Sequence, residues 1–553
     1  MDRNALTALL LITLVLVLTP YYMELVSPNK KTPNNFEEEF VKNSEPENVL
    51  SETITENNQR TNKTIKNASY AEEKTTTIET DLYIAKISSA FGGSIHSFKI
   101  KKHLSPDSTL VNLINSQNKN NLALSFNDYN GEKIILGGAW NSLQNHDSLY
   151  INDELSLTYN LTIDGKTAKK TITFFPESYL FDINIDLIGF SNNVLGNKIS
   201  LSWVGGLPTT EKDTITDKTY FGAYLHQGGE LLDIKAGENE SFVNEYKGKA
   251  AWVATRTKYF VASFIEGFDS EISSVLVKAE NNSVEKYDLV VDLDALKNNT
   301  ISLYLGPLEY NKIKNLGVQL EEIMNFGWFI VRPISKFVLW ALKSMHLYIP
   351  NYGIILIIFS VLVKLAVYPL TKKSYESTRA MQAIQPEITN LKEKYKNNQT
   401  KLSQKTMELY KKKGVNPIGG CFPMLLQMPL LFALFTVFRS TIELRGEPFV
   451  LWIKDLSAPD VLFYLPFKIP VYGDFVCALP IFMALSMFVQ QRMMMTTTTG
   501  GPQEQQQKLM QYFMMVFFFL LFNSFPSGLN LYYTLFNVLT IAQQKLIRQP
   551  VSA

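Results

Sequence analysis

The spacing of hydrophobic residues changes several times along this chain, and each change predicts a different kind of structure. An apolar run from Ala5 to Leu18 stands behind Asp2 and Arg3, and Pro20, Tyr21 and Tyr22 follow it. No small-x-small cleavage site comes after, so the pattern fits an uncleaved membrane anchor over 1–24, although a signal-peptide core would read much the same. Residues 25–76 are rich in Asn, Glu, Lys and Thr. They offer too little apolar surface to offset the entropy of ordering, and a flexible tether is expected.

The period then becomes two. Leu155, Leu157, Tyr159, Leu161 and Ile163 alternate with polar residues, Asp164-Gly165 signals a turn, and Ile172 and Phe174 continue beyond it. Phe181, Ile183, Ile185 and Leu187 alternate in the same way, and similar runs recur as far as Leu305. An antiparallel β-sandwich over 77–318 is the natural reading.

From Glu321 onward the spacing turns helical through Ile323, Phe326, Phe329, Ile330, Ile334, Phe337 and Val338. This predicts an amphipathic helix within 319–350, lying in a membrane interface. Long apolar runs follow, predicting spans at 351–371, 419–440, 474–491, 509–524 and 527–547, with a turn at Pro526-Ser527-Gly528 between the last two. A loop is expected over 441–473 and another over 492–508.

Composition changes this picture little, because a mean hydropathy of −0.02 averages a polar half with an apolar one. The net charge of +1 gives no overall field toward nucleic acid or anionic lipid. Local charge is more telling: residues 371–420 carry Lys372, Lys373, Arg379, Lys392, Lys394, Lys396, Lys401, Lys405, Lys411, Lys412 and Lys413 against four Glu. By the positive-inside rule this segment is cytoplasmic, which puts both termini inside and the β domain in the periplasm. Met381, Ile384, Ile388, Leu391 and Tyr395, with Leu402, Leu409 and Tyr410 returning, predict a helical hairpin over 372–418. Its basic face is either a solvated, topology-setting surface or a dock for ribosomal RNA and targeting factors.

Catalytic signatures fail one by one. Gly165-Lys166-Thr167 lacks the first glycine of a phosphate loop, the five His show no metal-ligand spacing, and no Gly-x-Ser-x-Gly elbow occurs. The two cysteines, Cys421 and Cys477, both fall in apolar runs. Neither an enzyme nor a cofactor is expected. The unusual residue is Lys364, inside the apolar run Ile354–Leu370. A lysine there costs on the order of 2.5–3.5 kcal/mol on insertion scales and normally faces protein or trapped water. It could also snorkel toward the headgroups beside Lys372 and Lys373. Ser360 one turn earlier, Gln427 in the next span, and Asn530, Tyr532, Tyr533 and Asn537 in the last favour a wet intramembrane groove instead. The many Met and Phe of 483–495 and 510–522 either face lipid and pack helices or form an adaptable slide.

Several ordered motifs resemble the YidC/Oxa/Alb insertase family, in its Gram-negative form with a large periplasmic domain. They are Tyr368-Pro369-Leu370-Thr371-Lys372, Asn416-Pro417 through Pro423, Gln427-Met428-Pro429, Glu443-Leu444-Arg445 with Pro448-Phe449 and Trp452-Ile453, and Phe525 to Leu529 with Leu531-Tyr532-Tyr533. The resemblance implies a multi-domain membrane protein: a periplasmic all-β supersandwich plus an α-helical transmembrane five-helix core, with an extra N-terminal transmembrane anchor. It further implies a hydrophilic groove at Lys364, Ser360, Gln427, Tyr532 and Tyr533, where the family usually has Arg in place of Lys364. Cytoplasmic contacts would fall on Lys372, Lys373, Arg379, Lys411 and Lys412. The partners implied are nascent membrane-protein clients, the Sec translocon with its accessory subunits, the ribosome and targeting factors, and membrane lipids. Two other functions compete. A small-solute transporter predicts internal repeats or broken helices in matching halves, neither of which the sequence shows, and an anchored carbohydrate-active enzyme needs converging carboxylates.

Overall fold

The computed structural model describes residues 63–64, 71–115, 119–144, 147–237, 240–282, 284–395, 398–415, 422–469, 472–494, 512–513 and 515–548. The expected anchor over 1–24, most of the tether, Cys421, and most of 492–514 lie outside these residues.

The polar half folds into a fifteen-stranded sheet faced by a five-stranded one. Strands Leu155–Ile163 and Lys166–Phe174 form the expected hairpin. Asp164 and Gly165 both take positive φ, 50° and 77°, the two-residue turn whose twist matches that of its strands. Across the next strands Ile172 stands opposite Ile183, and Ile183 opposite Ile301. All three are fully buried, so one pleat face is a continuous β-branched row. The smaller sheet covers it through aromatic contacts: Tyr83 stacks on Phe98 at 4.5 Å, and Phe98 lies 6.3 Å from Phe181 between ring centroids. Two segments assigned to the tether belong to this domain. Lys63–Thr64 pairs in parallel with Lys133–Ile135, and strand Thr75–Glu79 pairs with Tyr83–Ser88.

One lysine sits wholly inside the sandwich. Lys170 Nζ donates to the carbonyls of Phe91 and Leu122, each at 2.7 Å, and both acceptors belong to residues with positive φ. Burial pushes the ammonium down to about 7.

The amphipathic helix begins later than its apolar spacing suggests. Leu320, Ile323, Met324 and Phe326 are buried, and residues 308–326 fold back on the β domain: Trp252 Nε1 donates to Val318 O and Arg256 to Ile323 O, both at 2.8 Å. Positive φ at Gln319 and Gly327 breaks any helix through this stretch. Helix α1 spans Val331–His346. It buries Val331, Ser335, Val338, Leu339 and Leu342, while Phe337 and Trp340 stand exposed.

Helix α2 (Tyr352–Ala366) is followed after Val367 by α3 (Tyr368–Ala383), α4 (Gln385–Lys394) and α5 (Gln399–Lys413). The span expected over 351–371 is therefore interrupted: α2 and Tyr368–Ser377 meet at 59°. Pro369 supplies the reason, since its ring lacks an N–H and clashes with the carbonyl four residues back. Helices α6 (Phe422–Ser440), α7 (Ala478–Met494) and α8 (Ser527–Arg548) follow, with a further helical stretch at 515–522. Among the described residues no single helix is long and apolar enough to cross a membrane, and only the bent pair passes that test together.

The segment expected as a loop over 441–473 has structure of its own. Strands Val461–Ile469 and Gly473–Cys477 pair antiparallel and run directly into α7. Asp460 caps that helix, its Oδ2 accepting from the backbone N–H groups of Ala478 (3.1 Å) and Leu479 (2.8 Å) and from Trp452 Nε1 (3.0 Å). Asn523 ties the neighbouring turn down, donating to Tyr472 O and Phe475 O and accepting from Cys477 N.

Arg445 joins the two halves. Its guanidinium donates to Glu211 Oε1 (2.7 Å), Leu104 O (2.9 Å) and Thr210 O (3.2 Å), all in the β domain, and it lies over Tyr259 and Phe260. Lys343 of α1 adds a second link, bonding Glu443 at 2.9 Å and Glu309 at 3.5 Å.

Candidate functional site

Helix α2 starts where Asn351 Oδ1 accepts from Ile354 N at 3.1 Å. Its inward face is Ile355, Leu356, Phe359, Ser360 and Lys364, the stripe that spacings of one, three and four residues produce. Ser360 and Lys364 are thus one turn apart on one face. The Ser360 hydroxyl donates to Leu356 O at 2.7 Å within its own helix, which leaves a polar patch without a free donor.

Lys364 points across to α8. Its Nζ donates to Thr540 Oγ1 at 2.7 Å and lies 3.8 Å from the Phe536 ring centroid. Thr540 in turn donates to Phe536 O at 2.7 Å. The residue is 8% exposed, so the ammonium is held between two helices rather than extended toward Lys372 and Lys373. Because α2 ends at Ala366, the charge also sits in the last turn of its helix and not in mid-span. There it faces the negative end of the helix dipole, a favourable place for a cation.

Tyr532, Phe536, Thr540 and Gln543 form a face along α8 beside this cation. Tyr532 lies 6.2 Å from Phe359 and 5.9 Å from Phe536 between ring centroids. Gln543 Nε2 donates to Thr371 Oγ1 at 2.9 Å, one turn into α3. The hydroxyls of Tyr532 and Tyr533 and Gln543 Oε1 are buried without a hydrogen-bond partner among the described residues. Buried polar atoms are nearly always paired in native proteins, so these atoms make the face of α8 beside Lys364 polar as well as aromatic.

Lys364 and Ser360 therefore share one face of α2, Tyr532 of α8 packs on Phe359 of that helix, and Tyr533 stands beside Tyr532, turned toward Phe522 at 5.9 Å. Gln427 does not join. It is half-buried on α6, and no hydrogen bond among the described residues links it to Lys364. Asn530 and Asn537 also serve other ends: Asn530 donates to Phe522 O, and Asn537 to Ser486 Oγ. Thr540, Phe536, Gln543 and Thr371 were missed by the sequence reading. The signal was the four-residue spacing from Tyr532 to Thr540, obscured because Thr and Phe look unremarkable in an apolar run.

On the hairpin side, Ile384, Ile388 and Val415 pack with Ala380, Met381, Leu409 and Tyr410, and Lys413 pairs with Glu387 at 2.6 Å to hold α5 against α4. Lys372, Lys373, Lys411 and Lys412 are exposed, with no ion pair among the described residues. The Arg379 side chain lies outside those residues. No group of three or more His, Cys, Asp or Glu among the described residues could hold a metal ion.

Two family models account for most of the chain. One described as the YidC periplasmic domain matches residues 75–341, the β domain and most of α1, and one described as the 60Kd inner membrane protein matches 344–553. A protein of Chlorobaculum parvum named membrane protein insertase YidC is 37% identical over 568 residues, covering 100% of this chain and 95% of its own length. The chain belongs to the YidC family. A YidC of Chlorobium limicola gives the same identity over 576 residues, with the same coverage of both chains. It follows that this YidC-family chain is an inner-membrane protein with a β-sheet-rich periplasmic domain and a helical C-terminal region. A solved active YidC insertase, with its first transmembrane domain resolved, aligns with 86% of this chain and 93% of its own at 19% identity and a TM-score of 0.35. That likeness is too low to carry an argument.

Proposed function

We propose that this protein is a membrane protein insertase that inserts and folds nascent integral membrane proteins in the inner membrane, alone or with the Sec translocon. The carrying observation is the Lys364 ammonium, buried between α2 and α8 against a face of α8 that also carries the Tyr532 hydroxyl, which has no hydrogen-bond partner among the described residues. In this reading α2, α6, α7, a helix over 509–524 and α8 cross the bilayer, with an N-terminal anchor before them. Both termini and the basic hairpin are cytoplasmic.

The physics needs no nucleotide. A client's polar tail loses its water on entering hydrocarbon, at a cost of several kcal/mol for each unpaired group. A polar pocket partway across shortens that path, and the cation attracts acidic tails. Burial of the client's own span of about 20 apolar residues supplies the driving force. For acidic tails the membrane potential adds roughly 2.3 kcal/mol per charge per 100 mV. Lysine offers a point charge rather than the two-pronged grip of arginine, which suits transient contact. Lys372, Lys373, Arg379, Lys411 and Lys412 then form the cytoplasmic surface for the ribosome and targeting factors.

The test is complementation of an insertase-depleted strain, scoring insertion of a short client with an acidic tail. The native chain and Lys364→Arg should insert it, and Lys364→Ala should fail. Full activity of Lys364→Ala would remove the cation from the mechanism, and failure of the native chain would remove the insertase reading itself.

A further inference from the structure

Among the described residues, the hairpin between α6 and α7 leaves most of its first strand exposed. Strands Val461–Ile469 and Gly473–Cys477 pair, among the described residues, only with each other, and Leu462, Phe463, Tyr464 and Phe467 are 48–62% exposed. Successive residues of a strand point to opposite faces. Exposure of three in a row therefore leaves both faces uncovered. A two-stranded ribbon by itself is marginal in water, and a contiguous exposed apolar patch marks a contact surface.

We infer that this hairpin lies in the outer headgroup layer of the bilayer, with its aromatic side chains among the lipids. The inference rests on the reading of α7 as a span. Continuity supports it first. The second strand passes without a loop into α7, whose Ile481, Leu485 and Val489 form an exposed stripe at four-residue spacing, and Trp452 stacks near Phe482 at 6.4 Å. Lipid on the helix continues onto the hairpin. Polarity supports it next: Lys212 of the β domain lies 6.0 Å from the Tyr464 ring centroid, and Lys468 is exposed on the strand. Cations and tyrosines at one level suit the depth of lipid phosphates.

The open strand edges fix the depth. Their unpaired N–H and C=O groups exclude the hydrocarbon core but are tolerated where water reaches. The same edges argue against a protein strand as occupant. Pro466 is exposed within the first strand, and the register breaks between Tyr464 and Ile469; both features spoil an edge for further pairing.

The experiment places a spin label at Phe463→Cys or Phe467→Cys in the full chain carrying Cys421→Ser, with the buried Cys477 retained. The protein is reconstituted into vesicles of phosphatidylethanolamine and phosphatidylglycerol. Collisions with oxygen and with a water-soluble nickel chelate are compared with those at Phe268→Cys, on the exposed surface of the β domain, and Leu485→Cys on α7. The expected oxygen-to-nickel ratio at both hairpin positions is several-fold above that at Phe268 and below that at Leu485. A ratio equal to that at Phe268 overturns the inference. Protection from both reagents would overturn it too, since a second copy or another protein would then cover the face. An aqueous ratio at Leu485 would defeat the spanning reading of α7, and the inference with it.

Discussion

The Lys364 ammonium and the Thr540 hydroxyl meet at 2.7 Å, although 176 residues separate them in the chain. The bond fixes the last turn of α2 against the middle of α8 and gives a buried charge its only hydrogen-bond acceptor among the described residues. Thr540→Val keeps the shape and removes the acceptor. Leaving a buried polar group unpaired costs about 1–3 kcal/mol, more for a charge, so this variant should unfold at lower temperature in detergent. Adding Phe536→Leu removes the ring under the same ammonium and should cost more than the sum of the two single changes. An unchanged unfolding temperature for Thr540→Val would mean that the bond contributes nothing.

Arg445 makes three hydrogen bonds to the β domain with a side chain only 5% exposed. Arg445→Ala takes the cation from the Glu211 carboxylate and leaves it the Thr210 hydroxyl as donor, and breaking a buried pair from one side costs about 3–5 kcal/mol. Lysine cannot reproduce the fork, so Arg445→Lys should recover less than half of the loss. Limited proteolysis between the two halves is the readout: both variants should be cut faster near 326–331 than the native chain, while cleavage within the β sandwich stays the same.

Lys170 makes the stability of the β domain depend on pH in an unusual direction. Its folded pKa of about 7 lies below the ordinary lysine value, so between pH 7 and pH 10.5 the unfolded chain binds the extra proton. Stability must rise with pH across that window and level off below it. The thermal midpoint of the β domain in the full chain should therefore be higher at pH 9 than at pH 7. Lys170→Met should lower the midpoint, because Phe91 O and Leu122 O lose their donor, and should also flatten the part of the slope that Lys170 supplies. An identical slope in the variant would assign it to other groups.

Asp460 accepts two backbone N–H groups at the start of α7 and the Trp452 indole besides. Asp460→Ala should cost about 1–2 kcal/mol, the usual range for a lost cap. Asp460→Asn keeps an oxygen and should lose less. Thermal unfolding in detergent orders the three proteins.

Much of this arrangement was legible because periodicity itself reports burial. The alternation from Phe181 to Leu187 predicts a strand with the buried face that is observed, and the four-residue step from Ser360 to Lys364 put both on one helical face. What stayed hidden was tertiary. Nothing local tells a Thr540 that faces a lysine from one that faces lipid, and Asn537 looked like a groove residue yet bonds Ser486. Hydropathy also ignores proline, so the break at Val367 vanished inside an apolar run. The 461–477 hairpin escaped because both of its faces are apolar and the period of two never shows.

Arg445 and Glu211 also impose an order in time. They are 234 residues apart, and at about 5–20 residues per second roughly 10–50 s of synthesis separates them. The carboxylate and carbonyls that receive the guanidinium belong to a domain whose chain is made first. A β domain already folded by then presents a finished socket, and the later helices assemble against a fixed point rather than searching for one. Errors in that domain would consequently surface as late faults of helix assembly, far along the chain from their origin.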